Sequence, residues 1–338
     1  MNHLAPKITF ACELDSQRVP DLFANPDVIQ FLQDTRSGVS LGILDLSNER
    51  ADVVRCLNEA GVPVTAWLLL PKDQGYWFNL DNHVQAAARY EQFRVWTAEN
   101  DLRWARIGLD IEPDLSAVQL ISKYPRAGAQ RLMRHAFNFP RLRRGVRAYR
   151  SLVEQIHRDG YPVETYQFPF IVDERMARSN VLQRMTGLID LPEADHEVLM
   201  LYSSITRPWG QGILWNYGRQ AQGIGIGITG GGVNLEGALS TPPLNWAELQ
   251  TDLLLARQLT EEIFVFSLEG CVQQNFLPLL REMNWQQAVP IPVYEARRAE
   301  NVRRLFQRGL WLAARPAWML FGLALAISAV TALWRRRR

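Results

Sequence analysis

Short apolar runs alternate along this chain with segments of helical periodicity, and that alternation predicts strand–helix repeats. Strands are expected over 7–14, 39–46, 62–70, 104–112, 163–170, 198–203, 223–228 and 263–268. Between them, helical spacing covers 21–34, 49–60, 81–99 and 145–158, with Gly61 placed as a left-handed cap. Eight strands separated by helices are the count of an α/β (β/α)8 TIM barrel, expected over 1–288. An open doubly wound sheet gives the same alternation. The strand ends decide for the barrel, because acids and aromatics gather there: Glu13, Asp15, Asp45, Trp67, Asp110 to Asp114, Tyr166 to Phe170, Tyr202 and Glu269. In a barrel those ends converge on one mouth.

The pattern changes after Trp285. Pro290-Ile-Pro reads as a linker and 295–307 as a charged juxtamembrane helix, the two together filling 289–316. The stretch 317–334 then carries no charge, with Trp318 and Trp334 near its ends, and Arg335 to Arg338 follow as a basic tail. Eighteen helical residues rise about 27 Å against a hydrocarbon thickness of roughly 30 Å. The expected fold class is therefore a TIM barrel followed by a C-terminal transmembrane helix, with membrane lipid as a partner through that helix. A single-pass C-terminal anchor in the cell membrane is the matching localisation. No charged and apolar leader precedes the first strand, which favours a tail anchor, while arginines on both flanks leave the side of the soluble domain open.

Composition narrows the partners. A formal charge of +2 gives no electrostatic case for nucleic acid. Cys12, Cys56 and Cys271 fit neither a disulfide framework nor a ligand spacing, and His3, His83, His135, His157 and His196 are unpaired, so no metal and no cofactor is expected. Gly225-Ile-Gly-Ile-Thr-Gly230 matches a dinucleotide fingerprint, but it lies within a strand and opens no helix, so a tight turn is the better use of its glycines. The arginines at 141, 143, 144, 147 and 150 read as a solvated helix face. Oligomeric state is not legible.

Candidate chemistry centres on Ala105-Arg-Ile-Gly-Leu-Asp-Ile-Glu-Pro-Asp114, a β-type run whose last three acids are two residues apart. Alternate strand residues share a face at roughly 6.5–7 Å, so Asp110, Glu112 and Asp114 are expected together. Crowded carboxylates push one pKa up, which keeps one group protonated as an acid beside an ionised neighbour. The bland alternative is an exposed loop of acids past the strand end at Pro113. Aromatics at strand ends would complete a sugar cleft, since pyranose faces stack on rings: Trp67, Tyr76, Trp77, Phe168, Trp209 and Trp215.

Leu109-Asp-Ile-Glu112 on the fourth strand resembles the D-x-x-D-x-D-x-E run of the family 18 glycoside hydrolases, the chitinase-like barrels. Leu199-Met-Leu-Tyr-Ser203 resembles that family's M-x-Y-D segment, and Phe264-Val-Phe-Ser-Leu-Glu269 its eighth-strand segment. Four positions depart from the pattern. Ala105 and Gly108 stand where two earlier acids belong, Ser203 replaces the Asp after the tyrosine, and Phe266 occupies the tryptophan position. The resemblance implies substrate-assisted hydrolysis of an N-acetylhexosamine-containing glycan, in which the sugar's own acetamido oxygen attacks the anomeric carbon. It implies Glu112 as general acid and base, Asp110 as the group that orients the acetamide, and Tyr202 as a hydrogen-bond partner of that group. Asp114, Glu13, Trp67, Trp77, Tyr166, Gln167, Trp209, Phe266 and Glu269 are the expected substrate-binding residues. Two alternatives stay open: a non-catalytic carbohydrate-binding barrel, and a metal-dependent hydrolase that uses Asp110, Glu112 and Asp114.

Overall fold

The computed structural model describes residues 5–114, 120, 123–231 and 241–315. Eight parallel strands close in sequence order into a barrel: β1 (Lys7–Cys12), β2 (Gly38–Ile43), β3 (Val64–Leu68), β4 (Arg106–Asp110), β5 (Val163–Gln167), β6 (His196–Met200), β7 (Gly223–Gly227) and β8 (Glu262–Phe266), with β8 paired back to β1. Each strand turns one face to the surrounding helices, and those positions are apolar and buried: Phe10 and Cys12, Val39 and Leu41, Ile107 and Leu109, Ile224 and Ile226, Ile263 and Val265. A parallel sheet covered in this way reads in sequence as unbroken apolar runs.

The helices differ from the expected ones mainly at prolines. The segment 21–34 is two helices, Val19–Ala24 and Pro26–Asp34, parted where Asn25 caps the second and Pro26 opens it. The expected insertion after β4 is helical over Pro125–Ala136 and Phe139–Arg158, again with prolines in the first turns. Phe170–Met176 and Val181–Thr186 follow β5.

The expected fold class needs correction at its C-terminal end. Among the described residues no helix is long and apolar enough to cross a membrane, and the segment 317–334, read above as transmembrane, lies outside the described residues. Among the described residues the architecture is therefore the (β/α)8 barrel with one further packed helix after it, and lipid contact through a spanning helix has no support there. The last described helix, Val293–Ala313, is charged and packs along Gly210–Gly218, burying Ala296, Arg303 and Leu310. Gly212 permits this approach, since a Cβ there would stand 2.4 Å from that of Glu295. Arg303 pins the helix: its Nε donates to the fully buried Asp173 at 2.8 Å, its guanidinium stacks 3.7 Å from the Tyr217 ring centre, and Tyr217 donates to the same carboxylate.

Candidate active site

Contacts between strands that are not neighbours show which side chains fill the barrel. At the N-terminal end of the strands a charged layer closes the lumen: Arg106 of β4 donates to Glu164 of β5 and reaches across to Glu262 of β8, beside His196 and Lys7. Above it the Tyr166 hydroxyl crosses from β5 to Ser40 of β2 at 2.5 Å and donates to Glu164 at 2.6 Å. This ring explains Gly108, one of the positions where the family pattern carries an acid. A Cβ at 108 would come within 3.0 Å of Tyr166 Cε2 and 3.1 Å of its hydroxyl, so the tyrosine occupies the volume an acid would need.

The mouth lies one layer higher. Trp67 of β3 meets Tyr166 and Phe266 edge to face, with ring centres 5.9 and 6.2 Å apart, and Tyr202 packs on Phe266 at 6.0 Å. Gly225 and Gly227 make room for Tyr202, whose ring carbons would lie 3.4 and 3.2 Å from added Cβ atoms. The strand glycines thus give space to a ring. They do not cradle a phosphate.

Asp110 ends β4 inside this aromatic wall and is 2 % exposed. Its Oδ2 accepts from Trp67 Nε1 at 3.1 Å, while Oδ1 is buried with no hydrogen-bond partner among the described residues. Glu112 sits just past the strand and is held by the β3 loop: Phe78 N donates to Asp110 O at 2.9 Å and Glu112 N to Phe78 O at 3.2 Å, a short parallel bridge that lengthens the sheet by one rung. The same loop carries Tyr76 at φ 65, in the left-handed region that non-glycine residues avoid. It is fixed there by Leu70 N donating to Tyr76 O at 2.8 Å, and its hydroxyl donates to Glu13 Oε1 at 2.6 Å. Glu13 in turn has its backbone N bonded to Glu269 Oε1 at 3.2 Å.

Loss of hydration pushes the Asp110 carboxyl well above the usual carboxylate range, the Glu13 charge adds to this, and the Trp67 N–H opposes it. Glu112 keeps part of its surface open but is also pushed well up, first by loss of hydration and then by Asp110 and Glu13. Of the two carboxyls, Asp110 is the one with a donor, the Trp67 N–H, that favours its ionised form. Tyr202 is raised by loss of hydration and by Asp110, Glu112 and Glu13, so its hydroxyl stays a donor.

Not every residue singled out in the sequence stands at this mouth. Asp110, Glu112, Glu13, Trp67, Tyr166, Phe266, Tyr202 and Glu269 surround it, with Trp77 and Phe168 packed on the same aromatic group. Asp114 lies instead against the β3 loop, where a Cβ on Gly75 would be 2.9 Å from Oδ2, so the three acids do not share one face. β4 ends at Asp110 and Ile111 adds one bridge to the β3 loop, so strand alternation stops short of Asp114. Gln167 points out of the barrel and donates to Ile189 O at 2.8 Å. Trp209 packs on Tyr294 and under Arg298, whose guanidinium is 4.1 Å from its ring centre, and Trp215 is buried in Gly210–Gly218. Ser203 donates to the buried Asp252. The sequence reading gave Tyr76 no polar role, because nothing in a loop sequence announces a partner on β1. Among the described residues, the trio of ligating side chains close enough to hold a metal is Glu164, His196 and Glu262, at the opposite end of the barrel, where Arg106 already binds two of the three.

No family model matches the chain, and no curated protein resembles it in sequence. Among solved structures it is similar to the glycoside hydrolase domain of PgaB (BpsB) from Bordetella bronchiseptica, at a TM-score of 0.50 and 13 % identity over 84 % of this chain and 100 % of that one. Fainter likenesses, both with a TM-score of 0.41, are to ScGas2 (12 % identity, 77 % of this chain, 55 % of that one) and to a D-psicose 3-epimerase (13 % identity, 90 % and 99 %). At such identities what is shared is the fold: a (β/α)8 barrel of the kind a glycoside hydrolase domain uses.

Proposed function

We propose that this barrel hydrolyses glycosidic bonds of a glycan containing N-acetylhexosamine, with the sugar's acetamido group as the nucleophile. The observation that carries the reading is Asp110: one oxygen is held by Trp67, and the other is a buried acceptor with no donor on it among the described residues, within the aromatic group at the strand ends. A buried carboxylate oxygen left without a donor is costly, and an acetamide N–H is a donor of the kind it lacks. With that N–H on Asp110 Oδ1, the acetamido oxygen turns toward the anomeric carbon. Glu112, holding the proton, gives it to the leaving oxygen as the bond breaks, and then takes a proton from the water that opens the oxazolinium ion. Tyr202 donates to the acetamido oxygen, and the Asp110 charge offsets the positive charge that develops on the ring. The fold shared with a glycoside hydrolase domain supports the same reading.

The test is turnover of chito-oligosaccharides by the wild-type chain and by Glu112→Gln and Asp110→Asn. Glu112→Gln should lose about 100- to 10,000-fold in kcat, the range for removed proton transfer, and still bind the oligosaccharide, and Asp110→Asn should lose about 100- to 1,000-fold, the range for a lost preorganised electrostatic partner. A trifluoroacetamido substrate, whose oxygen is a poorer nucleophile, should turn over far more slowly. Equal rates for the two N-acyl groups would exclude the substrate-assisted route. Binding without turnover by the wild-type chain would leave a carbohydrate-binding barrel.

A further inference from the structure

We propose that the groove between helices Phe170–Met176 and Val293–Ala313 docks the chain on the surface of an anionic phospholipid bilayer, with Arg304 and Arg308 taking headgroup phosphates. This inference is independent of the glycan reading and uses the side of the barrel rather than its mouth.

The groove encloses about 450 Å³. Met176, Ala177, Trp311 and Leu312 give it an apolar lining, and Arg304 and Arg308 bring two guanidinium groups to it. An apolar trough with paired cations matches a lipid, which joins a phosphate to an acyl chain, better than it matches a free anion or a neutral peptide. The outer face of the same helix continues the pattern. Val302, Leu305 and Leu312 are 63 %, 72 % and 43 % exposed, spaced so that they fall on one side, while Arg297, Arg298, Arg304 and Arg308 are all exposed. A monomer gains nothing by holding a leucine nearly three-quarters in water on a helix whose opposite face is firmly packed.

Charge selects the occupant. The helix carries Glu295 and Glu300 against those four exposed arginines, so the surface is cationic as well as apolar, which a neutral bilayer or a second copy of the same basic face would not reward. Arg304 is paired with Glu300 one turn back, but that bridge is exposed and yields readily to a phosphate. Arg303 and Asp173 hold the helix rigidly on the barrel, so the face is presented without ordering cost.

The experiment uses the full chain with Leu305→Cys in a Cys56→Ser background, labelled with an environment-sensitive fluorophore, Cys12 and Cys271 being buried. Vesicles of phosphatidylglycerol mixed with phosphatidylcholine are compared with pure phosphatidylcholine. The expected result is a blue shift with the anionic vesicles only. It should be weakened by salt and lost roughly tenfold or more in affinity on Arg304→Glu with Arg308→Glu, at about fivefold per arginine. Arg304→Gln with Arg308→Gln, a milder change at two exposed positions, should move the affinity in the same direction by less. The proposal is overturned by no shift, by an equal shift on neutral vesicles, or by insensitivity to both double variants. A shift that grows with protein concentration in the absence of vesicles also overturns it, since a second copy would then cover the face.

Discussion

The Trp67 indole and the Asp110 carboxylate meet across adjacent strands β3 and β4, Nε1 donating to Oδ2 at 3.1 Å. The tryptophan is 5 % exposed, so its ring is wall and its N–H is the working part. Among the groups around Asp110, the indole is the one that favours the ionised carboxylate.

Trp67→Phe keeps a ring and removes that donor. Asp110 then moves further up, and since the proposed mechanism uses it as the anion, the acid limb of the kcat–pH profile should shift to higher pH. At neutral pH kcat should fall about 10- to 100-fold, the value of a hydrogen bond to a charged group. A pH series on the variant checks this, and an acid limb left in place would show that the indole does not set the ionisation of Asp110.

Restoring the family's acid by Gly108→Asp should not help. The new Cβ would crowd Tyr166 and Thr65, at 3.0 and 3.3 Å, in a filled lumen, and overpacking of this kind costs about 1–3 kcal/mol before any charge is buried. Urea denaturation should show the loss, and Gly108→Ala should show most of it without the charge.

Arg303→Ala strands Asp173, which is fully buried, with Tyr217 and Gln307 as its remaining donors. Breaking one partner of a buried pair costs about 3–5 kcal/mol, and these two donors should hold the loss to the lower end. Val293–Ala313 should become the first segment to exchange its amide protons, read by hydrogen exchange.

Two acids, the buried Asp252 and the half-buried Glu262, should tilt stability in opposite directions with pH. Burial pushes Asp252 up to about 7 against the bonds from Ser203 and Gln211. Its neutral form stabilises the fold below an unfolded value near 3.8, and that contribution is lost as pH rises through 7. Glu262 goes the other way: burial is the largest single influence and would raise it, but the Arg106 hydrogen bond and the His196, Arg106 and Lys7 charges together outweigh burial and bring it down to about 2. Its contribution is present above 4.5 and lost as pH falls toward 2. Thermal melts of Asp252→Asn should therefore be flatter between pH 4 and 7 than wild type, and those of Glu262→Gln flatter below pH 4.5.

The barrel is legible in the sequence because its outward strand faces are mostly apolar and its inward faces are uncharged between the floor and the mouth, so the runs look continuous. Asp110 and Glu112 are legible because acids two apart at the end of such a run have no packing reason to be there. Legibility fails where a partner is distant or a strand has ended. Alternation extrapolated to Asp114 places it with the other two, but the β3 loop captures the chain at Phe78 and turns that carboxylate toward Gly75. Arg106, Glu164, His196 and Glu262 begin or nearly begin their strands, so they read as loop edges, although they close the barrel floor. Trp209 reads as a sugar platform until Arg298 and Tyr294, some ninety residues on, are seen to cover it.

Gly223, Gly225 and Gly227 leave β7 without inward side chains, and rings or an imidazole from β6 and β8 fill the vacated column. One stave of the barrel is therefore an empty mould, shaped wholly by what its neighbours press into it. Adaptation of the cleft to a new ligand has little foothold on that stave: a Cβ at 223 would stand 2.8 Å from the His196 imidazole and one at 227 would stand 2.9 Å from the Phe266 carbonyl, while one at 225 would already touch Tyr202. Variation must enter from the ends of β1 and β4 and the loop after β3, where Glu13, Glu112 and Tyr76 carry side chains to the mouth.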